Sequence, residues 1–278
     1  MTSQTYQTCP GPGRRLHVFV QHEVADAQAA ETAAHRIGAD ITTFGADPDF
    51  PRLDARAAES RPLVFASLGN ANRILRRWPA LARGVILPKA FLRHGTYSSL
   101  LPADMLLNSR GIYLPWGRIP DHSDMIEALF ENGVFLRPNS PMKPFTGFSA
   151  VPGKLEHDHA VLSRSITIDA DEMTFIAPAV DLADLEWRVW IVDGMVVTSS
   201  AYSWHTEDID RPAPDDVIAA AARIGEHLMM REQVYTADFT VLPDLGPRLI
   251  ELNALSTSGW YPGLDAATLL AALDEVMI

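Results

Sequence analysis

Cysteine is nearly absent: Cys9 is the one cysteine in 278 residues, so no disulfide can form within the chain. That fits a reducing compartment. No apolar run approaches the roughly 20 residues needed to span a bilayer. The opening MTSQTYQTCPGPGRR lacks the apolar core of a secretory signal. The cytoplasm is therefore the expected location, with no membrane partner. Positive charge is also scarce: Lys and Arg number 23 against 35 Asp and Glu, a net charge of −12. Such a chain repels a phosphate backbone over most of its surface, so nucleic acid is not an expected partner. Binding of a small polyanion must then rest on a few cations placed locally. Familiar catalytic signatures are missing too. There is no GxxxxGK[ST] loop, no HxxxH or HExxH, and Ser67-Leu68-Gly69 is not a nucleophile elbow. His157 and His159 fall in a polar, loop-like stretch and are expected to be exposed. Internal repeats and low-complexity segments are absent.

What is present suits one globular unit of two or three subdomains, with 47% of residues apolar. Residues 1–14 read as a loose tail. Strand-like runs at 16–21, 39–44, 62–68 and 84–87 alternate with helical spacing at 25–37 and 69–78. This alternation predicts a small parallel α/β subdomain over residues 15–110. Residues 88–120 read as a connection. The second half changes texture. Strand candidates at 133–136, 145–151, 165–168 and 173–177 precede two hairpins. The first joins 186–192 to 195–202 through Asp193-Gly194, and the second joins 234–242 to 248–254 through Pro243-Asp244-Leu245-Gly246. A helix is expected over 215–231 and another over 264–277. Hairpins with helices laid on them predict antiparallel α+β architecture over residues 111–278, divided into a central part of about 130–180 and a C-terminal part of about 181–278.

Four segments carry candidate chemistry. In the second hairpin Glu251 and Asn253 share a face, because side chains alternate along a strand, and the turn brings Asp238 roughly opposite Glu251. Two carboxylates facing one another are unfavourable without a positive charge between them. With an amide oxygen they suit Mg²⁺, which shares its shell with phosphates and water; a solvated hairpin face would have the same spacing. In FLRPNSPMKPFTG, Arg137 is expected to end a strand and Lys143 to begin the next, across a loop stiffened by three prolines. Two fixed cations there can hold a polyphosphate, or can be ordinary surface charges. Glu186 and Arg188 share a face of the EWRVW strand, as a salt bridge or as site residues, and the apolar run Phe175–Val180 is a core strand or a wall for a flat base. Ser256-Thr257-Ser258-Gly259-Trp260-Tyr261, leaving a strand end, is either a plain loop or a substrate loop.

In this order, VFLRPNSPMKPFTG, APAVDLADLEWRVWIVDG, YTADFTV and LIELNALSTSGWY resemble the ATP-grasp superfamily over roughly residues 85–265. The similarity is greatest to the divergent clade named for two arginines and one lysine, itself similar to a eukaryotic chaperone that assembles a translation initiation factor. The resemblance implies an ATP-grasp fold, with the parallel α/β subdomain followed by two antiparallel α+β subdomains that sandwich ATP. It implies Lys143 and Arg137 on the ATP phosphates and Phe175, Ala177 and Val180 in the hinge at adenine. The ribose falls to Asp181 or Glu186, and Arg188 to phosphate or an acyl phosphate. Asp238, Glu251 and Asn253 are implied as Mg²⁺ ligands. Ser256, Thr257 and Ser258 would face the substrate. The implied activity is Mg·ATP-dependent ligation of a carboxylate to an amine or similar nucleophile, on a metabolite, peptide or protein. The alternative is a non-catalytic ATP-binding assembly factor for a protein partner. One departure stands out: Pro138–Pro144 replaces the Gly/Ser-rich phosphate loop usual in the superfamily.

Overall fold

A computed structural model describes residues 14–182, 185–203, 209–228 and 232–276. The expected tail therefore lies almost wholly outside the described residues, as does the far end of each of the two last expected helices. The first lobe runs β1 (Leu16–Gln21), α1 (Ala27–Arg36), β2 (Asp40–Phe44), α2 (Phe50–Ala58), β3 (Arg61–Phe65), α3 (Leu68–Arg77) and α4 (Pro79–Ala82). Its strands pair in the order β2-β1-β3; that all are parallel is what the alternating pattern predicted. Helix α2 went unread in the sequence, although Asp49 caps its N-terminus through Arg52 N. The strand expected at 84–87 is not one, although Gly84 O still accepts from Val64 N.

Helix α5 (His94–Ser98) buries Tyr97 in the core of the C-terminal sheet, and the central lobe contains β4 (Ile112–Pro115), α6 (Ser123–Leu129), β5 (Val134–Pro138), β6 (Phe148–Ala150), α7 (Leu155–Ser165) and β7 (Met173–Pro178). Its antiparallel sheet has the order β4-β7-β5-β6, with α6 and α7 over one face. The supposed connection 88–120 thus supplies an edge strand. Three local expectations are corrected here. Residues 165–168 are not a strand, because α7 runs to Ser165. His159 is not exposed: it is buried in α7, stacked on Trp116, with Nε2 3.0 Å from Trp116 O. Lys143 does not open a strand. It sits in the turn between β5 and β6 at φ 42°, a left-handed conformation uncommon for a residue with a side chain.

The C-terminal lobe comprises β8 (Leu185–Val192), β9 (Met195–Ser203), α8 (Asp215–Leu228), β10 (Val234–Leu242), β11 (Gly246–Asn253) and α9 (Ala266–Val276). Its antiparallel order is β11-β10-β8-β9. Asp193 and Gly194 both take positive φ, 49° and 75°, as a two-residue hairpin loop requires. Two bulges interrupt the ladders. Val197 is extra between β9 and β8, and Ile250 is extra between β11 and β10. One face of the sheet buries Val189, Ile191, Tyr235, Ala237 and Phe239 under α8. Part of the other face, Trp190, Val192 and Val234, shares a core with β1, β3 and α9. The rest of that face is polar and looks across a cleft at the central sheet. Among the described residues no helix is long and apolar enough to cross a membrane.

Candidate functional site

The register of the C-terminal sheet lines up Ser200, Arg188, Asp238 and Glu251 as one row across β9, β8, β10 and β11. The central sheet presents a second row, Tyr113, Phe175 and Arg137, across β4, β7 and β5. The rows meet at one end. Arg137 Nη2 donates to Glu251 Oε2 at 2.7 Å, and Arg137 Nη1 to the carbonyl of the bulged Ile250 at 2.8 Å. Lys143 Nζ donates to the other Glu251 oxygen at 2.6 Å. Burial raises the proton affinity of Glu251, but Lys143 and Arg137 outweigh it and hold the carboxyl far below the usual carboxylate range. The Arg137 guanidinium is itself buried, and its Nε has no hydrogen-bond partner among the described residues.

Asp238 is wholly enclosed. Arg188 grips it in a two-pronged pair, Nε to Oδ1 and Nη2 to Oδ2, both at 2.8 Å. The third nitrogen of Arg188 donates to Gly259 O at 3.3 Å, and the guanidinium lies 5.4 and 5.1 Å from the ring centres of Tyr202 and Tyr261. Burial alone would weaken the charge on Arg188; Asp238 reverses that and pushes its proton affinity up. Asn253 links the carboxylates, its Nδ2 donating to Asp238 Oδ2 at 2.9 Å and to Glu251 Oε1 at 3.0 Å. Tyr202 donates its hydroxyl to Glu186 and lies 3.3 Å from Asp238 Oδ2. Desolvation first, then the charges of Asp238 and Glu186, keep that phenol protonated well above its ordinary range.

Between the sheets lies a cavity of about 600 Å³. Its charged end is Arg137, Lys143, Glu251 and Arg188, and its apolar walls include Phe135, Phe175, Val180, Leu182 and Leu249. The structure thus brings Arg137, Lys143, Glu186, Arg188 and Glu251 together with Phe175 and Val180. Asp238 and Asn253 stand directly behind the first of these, within the hydrogen-bonded network. Other predicted residues lie apart. Ala177 is fully covered, and Asp181 is exposed and outside the cavity wall. Ser256 is buried and ties two lobes together, its Oγ accepting from Ile86 N and its carbonyl from Ala66 N. Ser258 is buried against Thr236 Oγ1 and Ala254 O. Thr257 alone of that trio reaches a cavity, a smaller one of about 90 Å³ beyond Lys143. The cations of the central lobe pair directly with a carboxylate of the C-terminal sheet, because charges buried at this depth require neutralisation.

Sequence reasoning missed Tyr202, His94 and the Ile250 carbonyl. Counting back from the Asp193-Gly194 turn would pair Glu186 with Ala201; the Val197 bulge shifts the ladder by one and brings Tyr202 there instead. No sequence signal marks that bulge.

Three comparisons bear on this geometry. The model of an ATP-grasp domain family, family 3 of the clade named for two arginines and one lysine, matches residues 120–273, more than half of the chain. The chain belongs to that family. No curated protein matches it in sequence. Among solved structures it resembles D-cycloserine synthetase DcsG, at 15% identity and a TM-score of 0.60, over 95% of this chain and 100% of that one. It also resembles the ATP-grasp ligase PsnB complexed with a minimal precursor, at 15% identity and a TM-score of 0.55, over 95% and 99% of the two chains. D-alanine–D-alanine ligase from Bacillus anthracis complexed with ATP gives 13% and 0.56, over 95% and 97%. At such identities these likenesses establish the fold, which is that of ATP-grasp ligases.

Proposed function

We propose that the protein is an Mg·ATP-dependent ligase that activates a carboxylate as an acyl phosphate for attack by an amine or similar nucleophile. One observation carries this reading: two rows of side chains, on sheets from different parts of the chain, meet at Glu251 with Arg137 and Lys143. The residues fit the nucleotide. A flat base suits the apolar walls formed by Phe135, Phe175, Val180 and Leu249. A triphosphate suits Arg137 and Lys143, whose present partner is one carboxylate. Among the described residues no cluster of three or more His, Cys, Asp or Glu has metal-binding geometry. Two carboxylates with Asn253 instead suit a cation that completes its shell from phosphate and water. Glu251 would hold Mg²⁺ from the cleft side, with Asn253 behind it and lining the smaller cavity beyond Lys143. Asp238 would join them only by yielding one of its bonds to Arg188.

Mg·ATP would supply a transferable phosphoryl group and neutralise its charge. The chain's own share is positioning and electrostatics. Lys143 and Arg137 hold negative charge at the charged end. Glu186 reaches the cavity whereas Asp181 does not, which favours Glu186 for the ribose. The enclosure of Arg188 favours a role in fixing Asp238 and presenting its Nη1 edge, over a swinging contact. The boundaries at 110 and 181 are proposed to separate the three lobes, and a reducing cytoplasm suits the lone cysteine.

Isothermal titration with Mg·ATP on the wild type and Lys143→Ala, followed by ADP-release assays with amino acids and peptides, tests the reading. Expected are binding by the wild type and loss of turnover in the variant that saturating ATP does not rescue. An absence of heat with wild type would end it. ATP binding without ADP release for any acceptor would favour the assembly factor.

A further inference from the structure

Charge is spread unevenly along the chain. Residues 60–103 hold seven Arg or Lys and no Asp or Glu, while the remaining 16 cations share the rest of the chain with all 35 carboxylates. The fold places two parts of this stretch, around Asn72 and around His94, beside the loop that carries Lys143. Asn72, on α3, lies 3.7 Å from Met142 Sδ, beside Lys143, and accepts from Lys89 Nζ at 2.9 Å. Farther along, His94 N and Gly95 N donate to the carbonyl and side chain of Asn139 in the same loop, at 3.0 and 2.8 Å. The 90 Å³ cavity opens where these pieces meet, bounded by Leu68, His94, Arg137, Ser140, Lys143 and Thr257. Arg76 follows Asn72 by one helical turn and, like Arg77 and Lys89, is exposed. Arg61 and Arg73 have acidic partners, Asp274 and Asp47. Among the described residues Arg76, Arg77 and Lys89 have no ion-pair partner. Like charges gathered without counter-ions repel one another, a cost that an anionic partner would relieve.

We propose that α3 and the segment from Arg77 to Lys89 form a docking face for an acidic peptide, which delivers a carboxylate to the end of the cleft held by Arg137 and Lys143. This rests on the ligase reading and names the substrate class for it. A peptide suits the face better than a nucleic acid does. The rest of the molecule is strongly acidic and repels a long polyanion, whereas α3 is about 15 Å long and matches four or five extended residues. Complementary charge here acts through encounter and register, so the interaction weakens with salt.

Fluorescence anisotropy of the full chain with a fluorescein-labelled hexaglutamate peptide, without nucleotide, tests the idea. Wild type is expected to bind, more weakly as salt rises from about 50 to about 200 mM. Arg76→Glu with Lys89→Glu is expected to weaken binding about tenfold or more, roughly 1.4 kcal/mol. Lys154→Glu with Arg164→Glu, exposed positions at α7 with the same change of charge, should alter it less than about twofold. Circular dichroism and titration with Mg·ATP verify that both variants fold and bind nucleotide like wild type. Equal loss in the two pairs of variants, or no binding of hexaglutamate by wild type, overturns the docking face. Tighter binding of a short oligothymidylate that displaces the peptide overturns the peptide assignment in favour of nucleic acid. Failure of wild type to bind Mg·ATP would sink the nucleotide reading and leave the peptide result standing on its own.

Discussion

His94 shows how one buried ring ties the site to acidity. It packs 4.1 Å from Phe175, and its Nδ1 lies 2.7 Å from the Tyr113 hydroxyl. Burial, helped by the charge of Arg137, lowers its pKa from 6.5 to about 3. Below pH 6.5 the unfolded chain takes up a proton at this ring that the folded chain refuses. The stability contributed by the neutral ring is therefore complete above pH 6.5 and is lost as pH falls toward 3. Between about pH 8 and about pH 5 that loss is about 2 kcal/mol. Urea titrations at both pH values should show a shallower fall for His94→Gln than for wild type; identical falls would place the acid sensitivity elsewhere. The Arg188–Asp238 pair makes a different demand. Asp238→Asn leaves a guanidinium buried without its counter-charge, at a cost of about 3–5 kcal/mol. Arg188→Met with Asp238→Leu should regain much of that stability while ADP release stays absent. A double variant as unstable as the single one would mean that the pair itself stabilises the fold.

At the scale of elements, the informative contact is between helix α8 and the hairpin β8–β9. A Cβ on Gly225 would lie 2.1 Å from Gly194 O and 2.9 Å from Gly194 C. Both are backbone atoms, which cannot swing aside. In a free helix Gly225→Ala would gain up to about 1 kcal/mol from propensity. Here the overlap costs about 1–3 kcal/mol or more, so the net effect should be destabilising. Chemical denaturation reads the sign directly, and a more stable variant would show that the helix can lift off the turn. The same contact bears on what could be read beforehand. Asp193-Gly194 is a strong hairpin signal because both positions need positive φ, and the alternation of strand-like with helix-like segments predicts the parallel sheet of the first lobe. By contrast α7 was hidden: its sequence LEHDHAVLSRS has few apolar residues, and the burial of His159 goes with a stack on Trp116 from a distant segment.

The whole molecule divides unevenly. The sheets of the first and last lobes share one apolar core, with Leu269, Leu270 and Leu273 of α9 packed with Val18, Phe65 and Trp190. The central lobe has its own core around Trp116, Leu136 and Ile176. Its ties across the cleft include the charged contacts of Arg137 and Lys143 with Glu251. The first and last lobes should therefore unfold together, and the central lobe should open more readily. In hydrogen exchange, amides of α6 and α7 are expected to exchange faster than those of β8 and β10. Mg·ATP should slow exchange chiefly in the central sheet. Uniform protection throughout would contradict a separately hinged lobe.

The sequence by itself determined the parallel first lobe, the two hairpins and the residue types at the charged end of the cleft, because periodicity, turn chemistry and charge are local properties. Only the tertiary structure decided which of those residues share the cleft. The sequence placed Glu251 only roughly opposite Asp238, and an uninterrupted ladder from Leu242 and Gly246 would set Ile250 there. The bulge at Ile250 sets Glu251 there instead and turns the Ile250 carbonyl to Arg137. A single extra residue reverses the face of every side chain beyond it. Whether that residue is accommodated depends on packing against a second sheet far away in the chain.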